Sequence, residues 1–222
     1  MLVSPAQLAE TEFLDHGTPE VRALVAKASP ADGATLAERA VRLYYAVRDG
    51  IRYEVYGADL SRTGLRASQV LRRGSGMCLH KSLVYAAALR AIGVPSRLVL
   101  ADVRNHLASP RLRELLGGDV FHQHCVTELD LNGRRLRATP VFNRTLCRLY
   151  RIPELHFDGT ADSVHHPYGP DGAQRMKFLR EHGVFDDLPY DFVLSSLRAA
   201  HPRLFASDAT PVLAEGSLAD EA

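Results

Sequence analysis

A chain of 222 residues, 46% hydrophobic and 24% charged, is long enough to bury a real core and fits one domain with short additions. A formal net charge of +1 gives no electrostatic reason to expect nucleic acid or an anionic membrane surface as partner. No apolar run reaches the ~18–20 residues needed to span a bilayer. The first residues, Met1 to Gln7, lack the layout of a secretory signal, and three widely spaced cysteines make no disulfide framework. A cytoplasmic setting is therefore expected. The Ala-, Arg- and Leu-rich composition resembles that of proteins from GC-rich bacterial genomes, an association and no more.

No internal repeat is present. Thr18-Pro19-Glu20 reads as a helix start with proline at the first helical position. Thr35-Leu36-Ala37-Glu38 has capping-box spacing, and Leu36, Ala40, Leu43, Tyr44 and Val47 then form one apolar face that stops at Gly50. Ile51 to Tyr56 alternates and predicts a short strand. Ser68 to Arg73 predicts a short helix ended by Gly74, and a further helix runs from Cys78 to about Ile92. Leu79, Leu83, Ala86, Ala87 and Leu89 make that helix apolar on most of its circumference, so it belongs in the core. Gly93 and Pro95 end it, and Arg97 to Ala101 reads as a buried strand. An excursion from Val103 to Phe121 holds one short helix, placed to act as a lid. Segments His124 to Leu131 and Arg134 to Ala138 flank Asn132-Gly133, a strong hairpin signal.

This order predicts an α+β fold in which an antiparallel sheet packs on the Cys78 helix. Beyond it the chain reads as irregular through Gly172, helical over Ala173 to His182 and Phe192 to Ala200, and frayed after Phe205. The expected division is a single domain over 1–205 with a tail over 206–222. Within that domain, 1–57 is a helical N-terminal part, 68–143 the core and 144–205 a C-terminal extension.

The chemistry concentrates at Gly74-Ser75-Gly76-Met77-Cys78. A cysteine on the first turn of a helix faces unpaired backbone N–H groups, which favour a thiolate and can hold an oxyanion. His124, at the head of a strand, is the candidate base. His122 is a rival two residues away, expected on the same sheet face. Cys125 and Cys147 sit inside amphipathic patterns and read as packing residues, and Arg134-Arg135-Arg137 reads as a solvated strand face. His122, His124 and Cys125, and the adjacent His165-His166, match no recognised zinc pattern, so no metal is expected. Nothing calls for a diffusible cofactor.

Gly-x-Cys followed by a helix and then Leu89-Arg90-Ala91-Ile92-Gly93-Val94-Pro95-Ser96-Arg97 resembles the transglutaminase-like superfamily of papain-like thiol enzymes. Asp49 to Tyr53 looks like that family's lead-in, and His124 with Glu128 like its second motif. The resemblance covers roughly Val41 to Asn143. The segments around Ala101 to Leu107, Ala138 to Asn143 and Phe157 to Gly159 are similar to an uncharacterised bacterial subgroup. The resemblance implies Cys78 as nucleophile and His124 as base. It puts Thr139 where the family's third residue, an aspartate, normally stands, and Arg135 where a tryptophan is usual. Asp102 or Asn143 is then a candidate for the orienting partner. Gly76, Asp102 and the neighbouring Arg104, Asn105 and His106 are candidates to face substrate.

The function expected is cysteine-dependent acyl transfer on an amide or thioester through a Cys78 thioester. The enzyme would be a hydrolase or a small-molecule acyltransferase or cyclase, with an acyl donor carried by coenzyme A or a carrier protein as one option. The alternative is a non-catalytic binding module with a degraded triad, which the Thr139 departure favours.

Overall fold

The computed structural model describes residues 4–31, 33–105, 108–164 and 176–221. Helix α1 spans Pro19–Ala28 with proline in its first turn. Helix α2 spans Leu36–Gly50 and opens on the expected capping box: Thr35 Oγ1 accepts the Glu38 N–H at 3.2 Å, and Glu38 Oε2 accepts the Thr35 N–H at 2.8 Å. The strand expected over Ile51 to Tyr56 shortens to β1, Arg52–Tyr53. Helix α3, Ala67–Arg73, ends on Gly74, whose φ of +68° is a left-handed cap that glycine adopts without strain. Strand β2, Ser75–Gly76, pairs in parallel with β1 and delivers the chain into α4, Cys78–Ala91.

Helix α4 is the core. Every residue from Cys78 to Arg90 is buried, and α1, α2, α3 and the sheet pack around it. Its polar side chains stay because each has a partner. Lys81 Nζ donates to the carbonyls of Arg48 and Ile51 at 2.8 and 2.7 Å, and Ser82 Oγ donates to Cys125 O at 2.8 Å. Arg90 reaches Ser96 O at 2.8 Å and Ala9 O at 2.6 Å.

Strand β3, Ser96–Asn105, leads through helix α5, Pro110–Leu116, to β4, Val120–Leu131. Ser109 Oγ caps α5 by accepting the Leu112 N–H at 3.0 Å, and Gly117 ends it. Asn132-Gly133, both at positive φ, turn β4 into β5, Arg134–Ala138. Helix α6, Arg144–Leu149, follows, a short helix in a stretch that reads as irregular. The sheet order is β5-β4-β3-β6, antiparallel throughout.

The fourth strand corrects the sequence reading. Residues from Met176 to Phe185 form β6, not a helix, along the free edge of β3. Met176-Lys177-Phe178-Leu179-Arg180-Glu181 is composed mostly of good helix formers and shows no alternation. The unpaired N–H and C=O groups of β3 decide against propensity. Helix α7, Tyr190–Ala200, then packs over Leu60, Leu65 and Leu79.

The tail is also structured. Strands β7, Phe205–Ser207, and β8, Thr210–Leu213, form a hairpin. The Gly57 and Leu60 N–H groups donate to Ala214 O and Pro211 O at 2.9 and 2.8 Å, and Leu213 and Leu218 are buried. Its Ala, Ser and Asp content suggests fraying, but a few apolar anchors and pairing with a distant loop outweigh that. The basic stretch is paired too: on the outer sheet face Arg97, Arg135 and Arg137 surround Glu128, with Arg137 Nε 3.2 Å from Glu128 Oε2. No helix among the described residues is long and apolar enough to cross a membrane.

Candidate active site

Met77 occupies the cap position of α4 and offers no side-chain acceptor, so the first N–H groups of the helix are left for Cys78. The Cys78 sulfur faces its own N–H, that of Leu79 and that of Cys125 on β4. These groups favour the thiolate, but burial outweighs them and pushes the thiol up to about 11. The depressed thiol pKa expected from the helix start is therefore corrected: Cys78, 1% exposed, rests as a thiol. The sign follows directly. Alkylation of Cys78 by iodoacetamide should rise about tenfold per pH unit from pH 6 toward 10, because only the thiolate reacts. Peptide mapping at each pH checks this, and a plateau already present at pH 6 would contradict it.

Tyr53 is the residue that sequence reasoning left out. Burial above all, with a smaller contribution from the Cys78 thiolate's charge, raises Tyr53 well above 10 and keeps its phenol protonated. Its backbone is fixed twice: by pairing with Gly76, and by Asn143 Oδ1, which accepts the Tyr53 N–H at 3.0 Å. Tyr53 also lines a small cavity with His124, Phe121, Phe142, Leu112 and Leu116. Tyr53 and His124 thus share one cavity beneath α5, and His124 is next in sequence to Cys125, whose N–H faces the Cys78 sulfur. The alternation in Ile51 to Tyr56 was the available signal for Tyr53.

Gly76 is set by close packing. A Cβ there would lie 2.6 Å from His80 Cβ and 2.7 Å from His80 Cγ. The His80 ring cannot swing away, because its Nε2–H donates to Asp59 O at 3.0 Å. Burial lowers His80 to about 4, which keeps it neutral. Gly76→Ala should therefore push β2 off the first turn of α4. The expected results are about 1–3 kcal/mol lost in urea unfolding and a fall in Cys78 reactivity of about 10²-fold. An unchanged rate and stability would show that the contact carries no weight.

A model of the transglutaminase-like superfamily matches residues 22–137, more than half of the chain. The chain belongs to the transglutaminase-like superfamily. No curated protein matches it. Among solved structures, the crystal structure of a protein from Cytophaga hutchinsonii, provisionally described as a cysteine protease, is similar at 12% identity and a TM-score of 0.43. The match covers 80% of this chain and 52% of that one, so the chain spans about half the length of that relative.

Within this transglutaminase-like chain the remaining candidates divide. Thr139 is buried, and its Oγ1 makes no hydrogen bond among the described residues. Its main chain is engaged instead: the N–H donates to Ser163 O at 2.9 Å, and the carbonyl accepts the Tyr44 hydroxyl at 3.3 Å. Asn143 supports Tyr53. Asp102 faces two other histidines. Its Oδ1 lies 2.7 Å from His182 Nε2 and 3.1 Å from His122 Nδ1, and it accepts the Gln123 N–H at 3.3 Å. Burial pulls Asp102 upward, but the His182 hydrogen bond, His122 and the Gln123 N–H together hold it below its ordinary value. His122 does not share a direction with His124. Gln123, at φ +58°, bulges β4 between them, where the pairing with β3 shifts register. His122 turns to Asp102 and to the His201 ring, while His124 packs edge-on against Phe178. His106, His165 and His166 lie outside the described residues.

Proposed function

We propose that this chain is a cysteine-dependent acyl-transfer enzyme. The observation that supports it is a cysteine at a bare helix N-terminus, ringed by three backbone N–H groups, one of them from Cys125, the neighbour in sequence of His124. Cys78 rests as a thiol, so His124 acts as general base while the sulfur attacks an acyl carbonyl. The Cys78 N–H and the protonated Tyr53 hydroxyl are the donors for the oxyanion. His124 returns the proton to the leaving amine or thiol as the thioester forms. Water or an amine then resolves the acyl-enzyme.

The burial of Cys78 favours a small acyl donor over a protein side chain, in keeping with small-molecule acyl transfer or amide hydrolysis. A donor presented on coenzyme A or a carrier protein reaches such a site on a long arm. A panel of acyl thioesters, p-nitrophenyl esters and anilides, with and without an added amine, tests the reading against Cys78→Ala. Release of acid alone identifies a hydrolase, and amide formation a transferase. One observation favours the binding-module reading: the hydroxyl of Thr139, which stands in the aspartate's place, makes no hydrogen bond among the described residues. No Cys78-dependent turnover across the panel would select it.

A further inference from the structure

The pairing of β3 with β4 slips just before His124. Ala101 faces His124 but Val103 faces Phe121, so Asp102 alone stands opposite both His122 and Gln123. This is a bulge with Gln123 at its left-handed position, φ +58°, where glycine is the usual residue. A glutamine keeps that conformation only where its surroundings hold it. Here they do so from three elements. Asp102 Oδ1 on β3 accepts the Gln123 N–H at 3.3 Å. The Gln123 side-chain amide donates to Ser196 Oγ on α7 at 2.9 Å, and the His122 N–H donates to His201 Nε2 at 3.1 Å. Gln123 itself is completely buried.

The extra residue decides what stands beside His124. In a regular strand His122 and His124 would share a face, and Phe121 would point to the other. With the bulge, Phe121 joins His124 in lining the cavity of Tyr53, while His122 turns to Asp102. After His124 the strand is tied to the helix of the nucleophile: Ser82 Oγ donates to Cys125 O at 2.8 Å, and Thr127 Oγ1 donates to Ser82 O at 3.1 Å. His124 therefore lies between an anchored stretch and a strained bulge, and the bulge is the part free to slip. The oxygen that grips it is itself fixed. His182 Nε2 from β6 lies 2.7 Å from the same Asp102 Oδ1, and His122 Nδ1 lies 3.1 Å from it. All three donors meet one oxygen.

We propose that Asp102 is a positioning residue for His124: its Oδ1 fixes the bulge at Gln123, which sets Phe121, and not His122, beside the His124 ring. The proposal rests on the reading of His124 as the base for Cys78. Asp102 acts through the main chain, so an acceptor oxygen at this point matters and the negative charge does not. Without that oxygen the pairing slips by one residue, which turns Phe121 out of the cavity and His122 toward it. His124 then loses a wall and its aim at the Cys78 proton.

The test is single-turnover acylation of the full chain by the hexanoyl thioester of N-acetylcysteamine from pH 6 to 10, read by intact mass. Asp102→Leu keeps the volume and removes the oxygen. It should slow acylation about 10²-fold at pH 7, the cost of a reacting group displaced by about 1 Å. Its rate should climb about tenfold per pH unit toward 10, as that of a thiol without its base does. Asp102→Asn retains Oδ1 and should keep the wild-type rate and profile. Asp102→Glu retains the charge but moves the oxygens out by one methylene, and should be slow. The Asn and Glu pair keeps the proposal testable if the leucine variant does not fold. In a His124→Ala background Asp102→Leu should change the rate little, because the two residues act through one group. An asparagine variant as slow as the leucine one, a glutamate variant as fast as wild type, or an equal loss with and without His124 overturns the positioning role and leaves the acyl-transfer reading standing. A wild-type Cys78 that takes no acyl group overturns that reading, and the positioning role falls with it.

Discussion

Replacing His124 with alanine should slow acylation of Cys78 by about 10²–10⁴-fold at pH 7, the range that a general base supplies. The reason lies in the resting thiol. With Cys78 pushed up to about 11, only about one molecule in 10⁴ carries a thiolate at pH 7. A base that takes the proton as the bond forms removes that penalty, and His124 is the histidine lining the cavity shared with Tyr53. The variant's residual rate should climb about tenfold per pH unit toward 10, as a bare thiol does, while the wild-type profile is flatter. Because the ring packs on Phe178 and is 3% exposed, His124→Gln serves as the volume control. Single-turnover acylation across pH 6 to 10 reads the effect. A variant rate equal to wild type at pH 7 would remove His124 and turn attention to His122, which already has the Asp102 carboxylate.

Lys81→Leu should cost about 2–6 kcal/mol of folding stability, from two buried carbonyls at roughly 1–3 kcal/mol each. The carbonyls of Arg48 and Ile51 belong to the end of α2, where no helical partner exists, and the Lys81 Nζ from α4 is what satisfies them. The contact ties α2 to the helix that begins with the nucleophile. Burial also lowers the Lys81 pKa well below 10.5. The unfolded chain then binds this proton more tightly, so the wild type gains stability as pH rises through the range below 10.5, and the variant loses that dependence. Urea unfolding with an unchanged m-value checks the first point, and its pH series the second. A loss under about 1 kcal/mol would mean that the two carbonyls find other partners.

The elements legible in the sequence are those whose cause lies within a few residues. Thr35 and Glu38 announce α2 because a capping box is local, Asn132-Gly133 announces the hairpin because that turn needs two positive φ angles, and Gly93 with Pro95 closes α4. The Gly76-Met77-Cys78 start of α4 is legible for the same reason. What was hidden depends on distant partners. Strand β6 exists because β3 has a free edge, and the tail is ordered because the 57–60 loop receives it. Tyr53 is placed by Asn143, ninety residues on, and the divergence of His122 from His124 by a bulge that no residue pattern marks. The raised pKa of the Cys78 thiol is hidden for the same reason: a helix start is visible in sequence and complete burial is not.

The most direct test of Cys78 as an acyl-accepting nucleophile is intact-mass analysis with peptide mapping after mixing the protein with a hexanoyl thioester at pH 8. The account predicts one hexanoyl group on Cys78, lost in Cys78→Ala and slowed in His124→Gln. A wild-type protein that stays unmodified, or that carries the label on Cys125 or Cys147, would contradict it.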